Sequence, residues 1–178
     1  IRGHLNSEVT DIDLSRKKLT VNNAKTICYD KLIVAIPLNY FCKLSDIETK
    51  SKPDPHTSVL VINAIAKRGK KAPKDAHWIY ISKSKTSFHR IGYYSNVDPI
   101  FLPKKYRDGK HVAAYIEKTY RGDMRIDKDN LHMESQKILE EVNELGLLGD
   151  IEIYDVTFVD VAYTWHRVNS TWVKEVKE

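Results

Sequence analysis

No apolar run in this sequence is long enough to cross a bilayer. The longest, residues 32–38 and 59–66, fall far short of the roughly 20 residues a spanning helix needs. The opening residues give no reason to expect a secretory leader. The opening Ile1-Arg2-Gly3-His4 lacks a charged-then-apolar pattern and an initiator methionine, and reads as the middle of a longer chain. A cytoplasmic setting is expected. Cysteine is scarce: Cys28 and Cys42 would allow one disulfide, but no other secreted-scaffold feature accompanies them, which favours two reduced thiols. No His/Cys spacing resembles a metal site. Among the seven glycines none forms G-x-G-x-x-G, so the turn that cradles dinucleotide phosphates against a helix N-terminus is absent. There is no internal repeat and no low-complexity segment.

What is present suits a globular domain. The 178 residues are 42% hydrophobic and 30% charged, which allows a sizeable core and argues against disorder. The formal charge of +5 could attract phosphorylated ligands, but acids are mixed among the scattered lysines and arginines. The one tight basic run, Lys67-Arg68-Gly69-Lys70-Lys71, is followed by Ala72-Pro73-Lys74 and reads as a solvated loop between strands. Nucleic-acid binding is not expected.

Alternation predicts two short strands within residues 8–22, with Val9, Ile12 and Leu14 on the first and Leu19 and Val21 on the second. Asp13 to Lys17 is the turn between them, and Asn22-Asn23 closes the pair. The unbroken apolar run over residues 32–36 predicts a strand covered on both faces, ended by Pro37. A short helix over 39–44 and a polar loop over 45–56 follow. Strands are predicted over 57–66, 77–81, 88–94 and 111–118, with an extended crossing loop at Asp98-Pro99 and Leu102-Pro103. Asp127 or Asp129 can cap one clear helix, with Leu131, Ile138, Leu139, Val142 and Leu145 near one face and Gly146 at its end. A long strand over 151–163 is expected to bend or bulge midway. Ser170-Thr171-Trp172 could open a further helix. The order predicts an α+β fold: a mixed, largely antiparallel sheet with one main helix packed on it.

Three stretches carry a resemblance. The first is Val9-Thr10-Asp11-Ile12-Asp13, Lys18-Leu19-Thr20-Val21 and Tyr29-Asp30-Lys31-Leu32-Ile33-Val34-Ala35-Ile36-Pro37. The second is His77-Trp78-Ile79-Tyr80, Ser87-Phe88-His89-Arg90-Ile91 and Tyr93-Tyr94-Ser95-Asn96, with Ala114-Tyr115-Ile116-Glu117 after them. The third is Ala162-Tyr163-Thr164-Trp165-His166-Arg167 and Asn169-Ser170-Thr171-Trp172. Together they resemble flavin amine oxidase-like FAD-dependent oxidoreductases, the group of protoporphyrinogen oxidase and UDP-galactopyranose mutase. The resemblance implies remnant strands of an FAD-binding domain over 1–37, a substrate-binding domain over 38–166, and the start of a return segment over 167–178. It implies FAD as cofactor of the intact protein, with Pro37 close to the flavin. Without the dinucleotide fingerprint, this stretch alone is expected neither to bind FAD nor to catalyse.

In such an enzyme the flavin performs the electron chemistry and the protein positions the substrate. Arg90 is the first candidate, since its fork could hold a phosphate or carboxylate; pairing with a surface acid is the competing role. Tyr93, Tyr94 and Asn96 follow it and could stack on or hydrogen-bond a ring substrate, or serve as half-buried packing. Tyr115 and Glu117 alternate with Ile116 and so face together; Glu117 could equally be the ion-pair partner of Arg90. Trp78 and Tyr80 share one face, as core or as cleft wall. Arg167 is a further ligand candidate at a strand end. The expected partners are a small-molecule substrate, the FAD-binding domain of the same polypeptide, and a second copy meeting the exposed face left around residues 32–36. The competing reading is a non-catalytic basic α+β module that binds a phosphorylated ligand or a partner protein.

Overall fold

The structure, a computed structural model, describes residues 3–122, 124 and 126–176. These fall into two compact units: the described part of Ile1–Asp54 with His166–Glu178, and Pro55–Trp165.

The first unit opens with a three-stranded antiparallel meander of β1 (Val9–Asp13), β2 (Lys18–Val21) and β3 (Lys25–Cys28). Local chemistry makes its turns. The Asp13 carboxylate accepts from the Arg16 amide at 2.8 Å and the Ser15 hydroxyl at 2.7 Å, and Lys17 completes the reversal with φ 52°. At the second turn Asn22 and Asn23 both take positive φ, and the Ala24 amide donates to the Val21 carbonyl. Three residues, Asn22 to Ala24, thus link Val21 to its partner Lys25, and asparagine tolerates the left-handed conformation well. Ile12 and Val21 are buried beneath the meander.

The expected buried strand over residues 32–36 does not form. The segment is in no sheet, and Ile33 is 93% exposed, with Val34 and Ile36 exposed as well. A fully covered strand needs a ladder partner on each edge, and none of the described strands pairs with this one. Cys28, in the neighbouring strand, is likewise exposed; Cys42 is buried, and both are free thiols. Helix α1 (Leu38–Leu44) starts directly after Pro37, whose carbonyl accepts from the Tyr40 and Phe41 amides. Asp54 is buried but well satisfied: it accepts from Ser170 Oγ at 2.6 Å, and His166 Nδ1 lies 3.0 Å away. The Ser170 hydroxyl also caps the last short helix, Thr171–Glu175, by accepting from the Val173 amide. Within that helix, the Glu175 carboxylate accepts from the Lys50 and Ser51 amides.

The second unit is a five-stranded sheet in the order β5-β6-β7-β4-β8, built from β4 (His56–Arg68), β5 (Trp78–Tyr80), β6 (Arg90–Tyr93), β7 (His111–Arg121) and β8 (Leu148–Thr164). Every pairing is antiparallel. The α+β expectation holds, without the parallel component. The long β8 carries register shifts near its two ends, opposite Thr57/Val59 and around Ala66, and pairs regularly from Val159 to Ile153, so the bend or bulge expected midway does not occur there. The crossing loop between β6 and β7 is not simply extended: it holds the short helix α2 (Tyr94–Val97) and two 3-10 turns, Pro99–Phe101 and Lys104–Tyr106.

Helix α3 (Lys128–Glu144) covers one face of this sheet. Asp127 caps it by accepting from the Asn130 amide, and Gly146 ends it at φ 72°, a conformation glycine adopts without steric cost. Ile138, Leu139 and Val142 pack on Leu60, Ile62 and Ala64 of β4, Ile91 and Tyr93 of β6, and Val112, Ala114 and Ile116 of β7. Glu141 locks the helix to the turn between β5 and β6. It is buried, and it accepts from the Lys85 and Thr86 amides at 2.6 and 2.8 Å and from the Ser84 and Thr86 hydroxyls at 3.0 and 2.6 Å.

Candidate functional site

Strand alternation gives the sheet a second face, opposite α3, and this face is where chemistry gathers. The register places Arg90 of β6 opposite Glu117 of β7 and Tyr80 of β5, and Gly92 opposite Tyr115 and Trp78. Arg90 Nη2 donates to Glu117 Oε2 at 2.5 Å and to the Tyr163 hydroxyl of β8 at 3.0 Å. Its Nη1 lies 3.5 Å from the Tyr80 hydroxyl. The guanidinium carbon sits 5.9 Å from the ring centres of both Tyr80 and Tyr115, within cation–π range. Tyr94, at the start of α2, packs at a tilt on Tyr115 with ring centres 4.8 Å apart and on Phe101 with ring centres 5.6 Å apart. His89 adds a ring nitrogen 3.8 Å from Glu117 and packs on Tyr80.

Glu117 is buried and Arg90 nearly so. Burial works against the charged guanidinium, but the hydrogen bond and charge of Glu117 outweigh it and hold the Arg90 pKa above its ordinary value. Burial lowers the pKa of His89, with Glu117 pulling it up and Arg90 pushing it down. Burial likewise raises the phenol pKa values of Tyr94 and Tyr115. At neutral pH the cluster is therefore an internally neutralised ion pair framed by tyrosines. The Arg90 fork already holds a carboxylate; an external anion could take it bidentately only by displacing Glu117. To solvent the face offers rings and hydroxyls: Tyr80 is 66%, Trp78 52% and Tyr163 48% exposed.

The structure thus brings together Arg90, Tyr94, Tyr115 and Glu117 of the residues singled out in the sequence, and leaves others elsewhere. Tyr93 lies on the α3 face, fully buried, with its hydroxyl donating to the Leu147 carbonyl; burial raises its pKa to about 12. Asn96 is committed to structure: it accepts from Arg68 at 2.7 Å and donates to the Pro73 and Ala76 carbonyls. Arg167 and Pro37 are exposed residues of the first unit. Tyr163 joins the cluster across 73 residues of sequence. Its position in a long alternating strand was legible in the sequence, but its partner was not. Trp78 and Tyr80 belong to the open face and not to the core. Of the basic run, Lys67 pairs with Asp150 at 2.7 Å and Arg68 serves Pro73 and Asn96. Among the described residues no group of His, Cys, Asp and Glu suits a metal, and no helix is long and apolar enough to cross a membrane.

No family model and no curated protein sequence matches the chain. Solved structures do. A reduced UDP-galactopyranose mutase superposes with a TM-score of 0.61 at 18% identity, over 88% of this chain and 35% of that one. A protein from Exiguobacterium sp. 255-15, provisionally named protoporphyrinogen oxidase, gives 0.51 at 11% identity, over 89% and 36%. The likeness is one of fold. This chain spans about a third of the length of the structures it matches.

Proposed function

We propose that the five-stranded unit is the substrate-binding wall of an FAD-dependent oxidoreductase, with the flavin held by polypeptide outside this chain. One observation carries the reading: the sheet face not covered by α3 presents exposed Trp78, Tyr80 and Tyr163 around the buried Arg90–Glu117 pair. A sheet face left open while its other side is fully packed is suited to face a ligand or cofactor. Two solved structures with this fold bear the names of a mutase and an oxidase, and both extend well beyond the part that matches. That supports reading this chain as one part of a larger enzyme.

The residues present do not fit FAD by themselves. No glycine-rich turn exists to receive its pyrophosphate, so no step is assigned to flavin on this chain. The proposed work of the chain is to orient the substrate: Arg90, fixed by Glu117, orders the hydroxyls of Tyr80 and Tyr163, while Tyr94, Tyr115 and Trp78 offer stacking surfaces. Pro37 is proposed as the point nearest the cofactor.

The test uses the complete gene product loaded with FAD. A bound-flavin absorption spectrum is expected, and its absence overturns the reading. Replacing Trp78 or Arg90 (W78A, R90M) should leave the flavin bound but weaken the spectral response to added substrate; variants that lose flavin instead would place these residues in cofactor retention.

A further inference from the structure

Strand β8 closes one edge of the five-stranded sheet, and among the described strands it pairs with β4 alone. Alternate N–H and C=O groups along its outer edge therefore meet no ladder partner there. Lysine and proline usually guard such an edge, yet β8 contains no lysine, arginine or proline; its charged residues are Asp150, Glu152, Asp155 and Asp160. From Ile153 to Val159 it pairs regularly with β4, a geometry that a further strand can extend. Beside this edge, between β8 and α3, runs a groove of about 770 Å³. Leu139, Ile151 and Tyr154 form its apolar floor and Glu140, Glu144 and Glu152 its rim; among the described residues no lysine or arginine lines it. Lys85 meets Glu144 at 3.0 Å, and His111 Nε2 lies 3.5 Å from Glu152. Glu140 stands near the C-terminal end of α3, where the helix dipole favours bases, and it neither holds a turn as Glu141 does nor pairs with a base among the described residues.

We infer that the outer edge of β8 takes up an extended, basic segment of a partner protein as a further strand of the sheet. The segment's backbone pairs with the unmatched groups of β8, and its alternate side chains drop towards α3. Period two sets the pattern on that face: an apolar side chain over Leu139, Ile151 and Tyr154, with a lysine or arginine two residues to either side reaching the rim carboxylates. Charge selects the occupant. The chain as a whole carries +5, so this acidic edge is a local departure from its net charge. A second copy of the chain would bring the four acids of β8 against the same four with no base between them, and an acidic strand is repelled likewise. The inference does not depend on the flavin reading.

The test titrates this chain into a fluorescein-labelled peptide, Thr-Lys-Val-Leu-Val-Lys-Thr, and reads anisotropy. Saturable binding is expected, with the acidic counterpart Thr-Glu-Val-Leu-Val-Glu-Thr about tenfold weaker or worse. A peptide strand on a sheet edge pairs through one side only. Of two versions of the basic peptide, one N-methylated on Lys-Leu-Lys and the other on the intervening residues, one should therefore lose binding and the other keep it. The double replacement Glu140→Gln with Glu144→Gln, at a helix end that disfavours acids, leaves the fold intact and should weaken the basic peptide about tenfold. No saturable binding, equal affinity for the basic and acidic peptides, the same result for both N-methylated versions, or an unchanged affinity in the double variant overturns the proposal. A dimer of this chain that excludes the peptide overturns it as well, because the edge then belongs to a second copy.

Discussion

The Tyr115 ring lies directly over Gly92, its cross-strand partner, in the space a Cβ at that position would occupy. This close approach seats Tyr115 against β6, where the Tyr94 ring meets it at a tilt of 38°. Gly92→Ala should push the ring away and destabilise the unit by about 2 kcal/mol. In a Tyr115→Ala background the same change should be nearly neutral, because the clash is gone and alanine suits a strand no worse than glycine. Chemical denaturation of the four variants measures this; equal costs in both backgrounds would refute the contact.

Arg90 and Glu117 are both largely removed from water, so removing one partner leaves a buried charge uncompensated. Arg90→Met is expected to cost about 3 kcal/mol, and the double replacement Arg90→Met with Glu117→Leu to recover most of it. If the double variant is as unstable as the sum of the singles, the pair is not coupled as described.

Glu141 should make stability depend on acid. Burial raises its pKa, but the hydrogen bonds from Thr86, Lys85 and Ser84 outweigh this, so the folded-state value is lowered. A lowered carboxylate stabilises the fold fully above the ordinary glutamate value, about pH 4.3, and that contribution is lost as pH falls below it. Glu141→Gln should therefore cost stability at pH 7, and the gap to the parent chain should close towards pH 3. A gap that stays constant with pH would show that the carboxylate charge plays no part.

His111 is expected to behave oppositely. Its Nδ1 lies 2.9 Å from Asp108 and its Nε2 3.5 Å from Glu152; the hydrogen bond to Asp108 leads in raising its pKa. Its stabilisation is thus fully present below the ordinary histidine value, about 6.5, and fades as pH rises through the raised folded value. Titration of the His111 ring by NMR should give a midpoint above that of a histidine in an unstructured peptide. A midpoint at or below it counts against the clasp.

The apolar segment 32–36 should drive self-association in this chain, since Ile33, Val34 and Ile36 are all exposed. Light scattering is expected to show oligomers that Ile33→Lys reduces. A strictly monomeric parent chain would end this expectation.

Much of the fold was legible locally. Period-two alternation located every strand of the large sheet, and the Asn22-Asn23 turn, the Asp127 cap and the Gly146 stop could be read from their chemistry, because each depends on a few neighbouring residues. Alternation also set Tyr115 and Glu117 on one face. The segment 32–36 was misread for the reciprocal reason: an unbroken apolar run reports a tendency to be covered, and covering requires strands that lie elsewhere.

Sequence alone thus determined the strands of the large sheet and which side chains along each point the same way, since both follow from backbone geometry over a few residues. It could not decide which face α3 would cover, and so could not tell that Tyr93 is core while Tyr80 and Trp78 are surface. Nor could it bring Tyr163 to Arg90 or place β8 at the edge of the sheet. Those neighbours depend on register between strands distant in the chain, and register is settled only when the whole sheet pairs and one face is buried.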